Sequence, residues 1–272
     1  MELVHELPHI SMAAETLFHI GGFPVTNSLV ATWISMLLLI VVSWRATRRM
    51  ELVPTGLQNF VETAVEIFYN GIARIRAGEQ AALFLPLAGT FFFFILLSNW
   101  MGLLPGFGSI GLMVEHHGER EMIPLLRAAN ADLNTTLALA LFSVIAIQIY
   151  GIKVRGFFRY ANRFIRVGGF VDFFKNPGNP MRLVNAAIDL ALIGPLEIID
   201  EMTKLLSFSF RLFGNIFAGE VLLIVISMLL PYGAPLPFLA LEIFVGYIQA
   251  LIFATLTLVF ITHATHAEGE GH

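Results

Sequence analysis

The stretch PLEIIDEMTKLLSFSFRLFGNIFAGEVLLIVISMLL, Pro195–Leu230, reads as one long apolar helix with charges set into it. Its thirty-six residues would extend about 54 Å at about 1.5 Å rise per residue. The hydrocarbon core of a bilayer is about 30 Å thick, so such a helix must tilt steeply or kink. It also carries Arg211, Asn215 and Glu220 within its most apolar half. An arginine at the centre of a membrane helix costs about 2.5–3.5 kcal/mol on insertion scales, and ionisable groups placed there mark ion or proton movement by default.

At about 100° per residue, Glu197, Asp200, Lys204, Ser207, Arg211 and Asn215 fall within about 80° of one another and form one polar stripe. The pair Gly194-Pro195 is expected to break or kink the helix, which takes Asp189 out of that register. Glu220 falls on the opposite side, nine residues from Arg211. The two therefore cannot pair within one straight helix. Lys204 is equally consistent with snorkelling toward headgroups, and Glu197 and Asp200 with simple interfacial positions. A structural ion pair between Arg211 and Glu242 is the competing account of the buried cation. Glu242 and Gln249 lie seven apart in the next apolar stretch, on one face with Gly246 between them.

Working outward, four more stretches reach or approach spanning length: Val25–Trp44, Ala81–Leu104, Leu133–Ile152 and Leu236–Thr262. Thr55–Ala77 has Leu57, Phe60, Val61, Ala64, Val65, Phe68 and Ile72 at helical spacing, with Glu62, Glu66 and Asn70 elsewhere on the wheel. It reads as an amphipathic helix lying at the interface. Phe157–Arg182 is basic, contains Pro177 and Pro180, and reads as a loop. If the chain crosses at each of the five spans, twelve Lys and Arg residues gather on one side and only Arg120 and Arg127 on the other. Orientation by basic residues then puts the N-terminus outside and the C-terminus in the cytoplasm. The expected class is an all-α integral membrane protein forming a single domain over residues 1–272.

Composition agrees. The chain is 57% hydrophobic and 13% charged, with 25 Phe among 272 residues, against about 25% charged for a soluble domain. The net charge of -4 gives no nucleic-acid signature. There is no cysteine, so disulfides, thiolate metal sites and Cys nucleophiles are excluded. The N-terminal residues lack the basic start of a signal peptide. GFGSIG at Gly106–Gly111 matches the dinucleotide fingerprint by letter, but it follows a membrane span and opens no βαβ unit, so it reads as a turn. The sequon at Asn134 begins a span. His263 and His266 belong to a polar C-terminal run that reads as a solvated tail.

The run FRLFGNIFAGE, Phe210–Glu220, resembles subunit a of the membrane sector of F-type ATP synthases. The landmarks NWMGLLPG (Asn99–Gly106), ADLNTTLALAL (Ala131–Leu141) and GYIQALIFATLTLVFI around Gln249 occur in the family's order. The resemblance implies two long, steeply inclined helices packed against a rotating ring of c subunits. It implies that Arg211 is the essential arginine facing the ring carboxylate. It implies a proton path lined or flanked by Glu220, Asn215 and Gln249, with Glu197 and Ser207 on the polar face toward the cytoplasmic access route. Asp132 and Asn134 match a polar site at the outer end of the third span. Where many bacterial members have His, this chain has Glu242, so the local relay contains no histidine. Leu205 stands where a proline is common. The implied partners are the c-ring, the peripheral-stalk b subunits, the rest of the complex and membrane lipid. The implied location is a bacterial inner membrane. No cofactor and no nucleotide chemistry in this chain are expected, since it lacks a P-loop. The competing classes are a stand-alone secondary transporter with an arginine site, a structural membrane protein and a histidine metalloenzyme. The absence of an internal repeat counts against the first.

Overall fold

The computed structural model describes residues 13–108, 110–116, 119–165, 188–230 and 232–265. Strands β1 (Thr16–Ile20) and β2 (Phe23–Thr26) form a hairpin turned by Gly21 and Gly22, both at positive φ. Helix α1 (Asn27–Thr47) follows, its N-terminus capped by the Thr26 hydroxyl, which accepts from Leu29 N at 3.3 Å. The buried positions of α1 are small or polar: Asn27, Ser28, Ala31, Ser35 and Ala46. Trp33, Leu37, Ile40 and Trp44 are exposed and suit a lipid-facing flank.

Helix α2 (Gly56–Phe68) runs through one π turn, Tyr69–Ala73, into α3 (Arg74–Ala77), and a 3-10 turn leads to α4 (Ala81–Gly102). The amphipathic reading of Thr55–Ala77 meets a helix folded back on the bundle. Phe68 is fully buried and stacks on Phe92 with ring centroids 4.9 Å apart. Leu57, Phe60 and Ile67 remain uncovered by protein.

Strands β3 (Pro105–Gly108), β4 (Gly111–His116) and β5 (Glu119–Pro124) follow α4, the last two as an antiparallel hairpin. The GFGSIG run thus sits on β3 and the start of β4 rather than in a plain turn, and no helix opens from it. Next come α5 (Leu133–Arg155) and α6 (Phe157–Ile165). Here the loop expected over Phe157–Arg182 is corrected at its start, and 166–187 lie outside the described residues. Gly156, at φ 81°, ends α5 and redirects the chain. Tyr160 then folds back on α5, hydrogen-bonding Gln148 and packing against Gly151, where any Cβ would overlap its ring. The helix-breaking prolines come later, at 177 and 180, so they never applied to α6.

A π turn, Asp189–Ile193, precedes α7 (Gly194–Leu229), whose first turn contains Pro195. The expected break at Gly194-Pro195 is therefore a change of helical pitch, and the chain stays helical through it. Gly233, at φ 82°, helps turn the chain into α8 (Pro235–Thr265). Among the described residues, five helical stretches are long and apolar enough to cross a membrane, and they overlap the five read from sequence. The protein is an all-α integral membrane protein; among the described residues, strands occur only ahead of α1 and between α4 and α5.

α4 and α8 form the centre, with α5 against α8 and α7 packed on α5 and α8. Phe84, Ala88, Ile95, Ala250, Ala254, Leu258 and Ile261 are essentially inaccessible there. Phe253 joins the layers, its ring 5.2 Å from that of Phe91 and 4.8 Å from that of Phe208. Lipid is as apolar as these side chains, so close packing and interhelical hydrogen bonds must hold the helices together. Small residues allow that approach: a Cβ on Gly246 would lie 3.1 Å from Asn99 Cβ. Hydroxyl pairs add cross-links at Ser143–Thr257 (3.0 Å) and Thr136–Ser209 (3.3 Å).

Candidate functional site

The polar stripe forms on α7 as its spacing requires. Arg211 is exposed midway along the helix and donates from Nη2 to Ser207 Oγ at 3.1 Å. Asn215 donates from Nδ2 to the Arg211 carbonyl at 2.9 Å. Among the described residues Arg211 forms no ion pair, so the Arg211–Glu242 pairing considered above does not form. The face around it is uncovered: Ser207, Asn215 and Ala218, which neighbour it along the helix, are exposed. Gly214 lies one turn on, and a Cβ there would meet nothing within 4 Å. With exposed Ala218 a turn further, it forms a shallow lane beside the guanidinium.

Behind α7 lies a second polar region. Glu220 points away from the stripe, as the wheel indicates, and lines a cavity of about 340 Å³ with Glu242, Asn99 and Arg127. Helix α8 holds Glu242, 7% exposed, directly over Gly219 of α7. Any Cβ on Gly219 would overlap the Glu242 carboxyl, so this glycine is what lets the carboxylate reach between the helices. Glu220 is bound by Arg127, whose Nε lies 3.2 Å from both carboxylate oxygens and whose Nη2 donates to Oε2 at 3.2 Å. Asn99 extends the polar lining, donating to Gly246 O at 2.9 Å and accepting from Asn130 Nδ2 at 2.7 Å. Gln249 is buried two turns beyond Glu242 on the same face of α8, outside the cavity lining.

Asp132 and Asn134 form a separate cluster. Asp132 caps α5, accepting from Asn134 N at 3.0 Å, and receives Ser28 Oγ from α1 at 2.8 Å. Asn134 is exposed and its amide also reaches Asp132 Oδ1, at 3.3 Å. Toward the other end of α7, Lys204 Nζ lies 2.7 Å from Asp200 Oδ2 and 3.0 Å from Glu201 Oε1, and 5.0 Å from the Phe260 ring centroid. Lys204 is thus folded onto the protein rather than extended toward headgroups. Glu197 is half-buried one turn before this cluster. Asp189 lies in the π turn, upstream of the stripe's register. Of the histidine pair, His263 is exposed at the end of α8 and His266 lies outside the described residues.

Sequence reasoning missed Arg127, Asn99, Glu201 and Gly219. Arg127 counts in a sequence as an outer-loop charge, yet it is 7% exposed. Its only local signal is isolation among apolar and small neighbours in PLLRAANA.

These features define a polytopic membrane protein with an arginine, unpaired among the described residues, on one flank of a long helix and a carboxylate-lined cavity behind it. A sequence profile described as ATP synthase A chain matches residues 29–262. The chain is 30% identical over 250 residues to ATP synthase subunit a of Moorella thermoacetica, covering 92% of this chain and 95% of that one. It is 34% identical over 247 residues to ATP synthase subunit a of Gloeobacter violaceus, covering 90% and 86%. The chain belongs to the ATP synthase A chain family, which assigns it to proton transport and ATP synthesis as a multi-pass membrane subunit.

Proposed function

We propose that this chain is the stationary proton-channel subunit of a rotary ATP synthase, with Arg211 acting on a ring of c subunits. The observation that carries the reading is the setting of Arg211: a permanent cation midway along α7 that, among the described residues, is bonded only within its own helix and lies on an exposed face. A moving carboxylate from a partner would complete it, and the lane of Gly214 and Ala218 suits close approach by a partner helix.

Each ring carboxylate must be neutral while it faces lipid, since a bare charge there is costly. Opposite Arg211 the ionised form is favoured, so the proton leaves. It departs by an aqueous half-channel on one side of Arg211, and another carboxylate is loaded from a half-channel on the other. The guanidinium does not deprotonate, and its charge repels protons crossing directly between the two paths. The electrical part of the driving force is about 2.3 kcal/mol per charge per 100 mV.

The cavity with Glu220 and Glu242 serves as the outer half-channel, with Gln249 flanking it on α8 and Asp132 and Asn134 near its mouth, while Asn215 lines the path beside Arg211. The side of the stripe holding Ser207, Lys204, Asp200 and Glu197 serves the cytoplasmic half-channel. The whole chain acts as one membrane domain in a bacterial inner membrane, N-terminus outside and C-terminus in the cytoplasm. It is held by the peripheral-stalk b subunits, with α7 and α8 steeply inclined against the ring. The test is Arg211→Ala in the intact complex: assembly is expected to persist while ATP-driven proton pumping into inverted vesicles disappears. Coupled pumping at a measurable rate would refute it.

A further inference from the structure

Arg127 enters the bundle from the segment between β5 and α5, and all three nitrogens of its guanidinium are used. Nε and Nη2 bind the Glu220 carboxylate, Nη1 donates to the Ala13 carbonyl at 3.1 Å, and the group's centre lies 5.8 Å from the Phe217 ring centroid. Phe217 precedes Glu220 by one turn of α7, so a single helix face supplies both ring and carboxylate. The segment just ahead of β1 holds Nη1 through the Ala13 carbonyl, leaving the arginine little freedom to swing. Glu220 itself is 29% exposed, at the rim of the cavity that Glu242 also lines.

We propose that Arg127 is the positioning residue of the outer proton path: it fixes the Glu220 carboxylate at the cavity rim in the orientation from which a proton passes inward toward Glu242. The argument is geometric. A glutamate has three side-chain torsions, and without a two-point partner its carboxylate samples several rotamers at a wet rim. A planar guanidinium with two donors on one carboxylate selects a single orientation, which a lysine's point charge does not reproduce. The pair also leaves part of the carboxylate facing the cavity, so Glu220 is held without being sealed off. A purely structural ion pair would need no such opening. The inference rests on the proton-channel reading of the cavity.

The experiment measures passive proton conductance of the intact membrane sector in vesicles, normalised to assembled complex, for R127Q, R127K, E220Q and R127Q/E220Q. Positioning predicts that R127Q lowers conductance per complex several-fold, that R127K recovers part of it, and that the double variant conducts no less than E220Q alone. Such non-additivity is the mark of residues acting as a unit. The proposal is overturned if R127Q conducts normally while E220Q does not, or if the two losses multiply. It is equally overturned if both R127Q and R127K fail to assemble, which would make Arg127 a structural brace. Unchanged conductance in E220Q would instead remove the cavity from the proton path and take this inference with it, while leaving the role of Arg211 standing.

Discussion

Two arginines in this chain carry the same charge in opposite settings. Arg127 is buried and completed from within: a carboxylate, a backbone carbonyl and an aromatic ring meet it. Arg211 is exposed, and among the described residues its side-chain partner is a hydroxyl of its own helix. A cation satisfied inside the fold contributes to that fold and to the local geometry. A cation left open at this depth is a cost to the chain alone, and it makes sense only if another molecule supplies the anion. On the proposed function, the difference separates the part of the machinery this chain builds from the part it lends to a partner.

The sharpest break of that comparison is chemical exchange at the open site. Arg211→Lys keeps the charge but loses the planar fork and its always-protonated state, so pumping is expected to fall to a small fraction of the native rate, with normal assembly. If Arg211→Lys pumped like the native complex, charge alone would suffice and the two arginines would differ less than their settings indicate. By contrast, Arg127→Ala leaves Glu220 without its partner. Truncating one member of a buried pair costs about 3–5 kcal/mol, and the partial exposure of Glu220 puts this site at the lower end. Its signature is loss of thermal stability of the complex, read by subunit dissociation on heating, which Arg211→Lys should not show.

Much of this division was legible in the sequence. The stripe from Glu197 to Asn215 and the rearward direction of Glu220 follow from helical spacing alone, because α7 is one unbroken helix through those positions. The five spans follow from length and hydropathy. The ion pair of Arg127 did not follow, because its two partners lie ninety-three positions apart and only the packing of the β5–α5 segment on α7 joins them. Helix α6 was hidden for a different reason: nine residues of mixed Phe and Arg carry too short a period to separate from a basic loop. Asp132 matched a polar site by resemblance, but only the structure shows that it both caps α5 and ties it to α1.

A smaller effect comes from the carboxylates behind α7. Glu242→Gln preserves shape and removes charge, so proton flux per complex is expected to drop several-fold with little change in stability. Combining it with Glu220→Gln should lower flux further. Unaltered flux in the double variant would reassign both groups to packing. Gly219→Ala probes the same place sterically. Its methyl overlaps the Glu242 carboxyl, so α7 and α8 must separate or Glu242 must leave the gap, at about 1–3 kcal/mol for an overpacked contact. If Gly219→Ala assembled and conducted normally, the close approach of the two helices at Glu242 would be dispensable.

The smallest change tests whether ionic contacts inside the chain are only structural. Asp132→Ala removes the N-cap of α5 and the acceptor of Ser28, and a lost cap costs about 0.5–2 kcal/mol. Asp132→Asn should restore most of that, because the asparagine Oδ1 still accepts from Asn134 N while its Nδ2, in the place of Oδ2, donates to the Ser28 hydroxyl, which then accepts. The measurement is the dissociation temperature of the complex set beside its proton conductance. If stability recovers in Asp132→Asn and conductance does too, the carboxylate serves as a cap and lies off the proton path. If stability recovers but conductance stays low, the negative charge itself is needed at the outer mouth. The outer end would then hold two working carboxylates, Asp132 and Glu220, one steadied by hydroxyl and backbone and the other by an arginine.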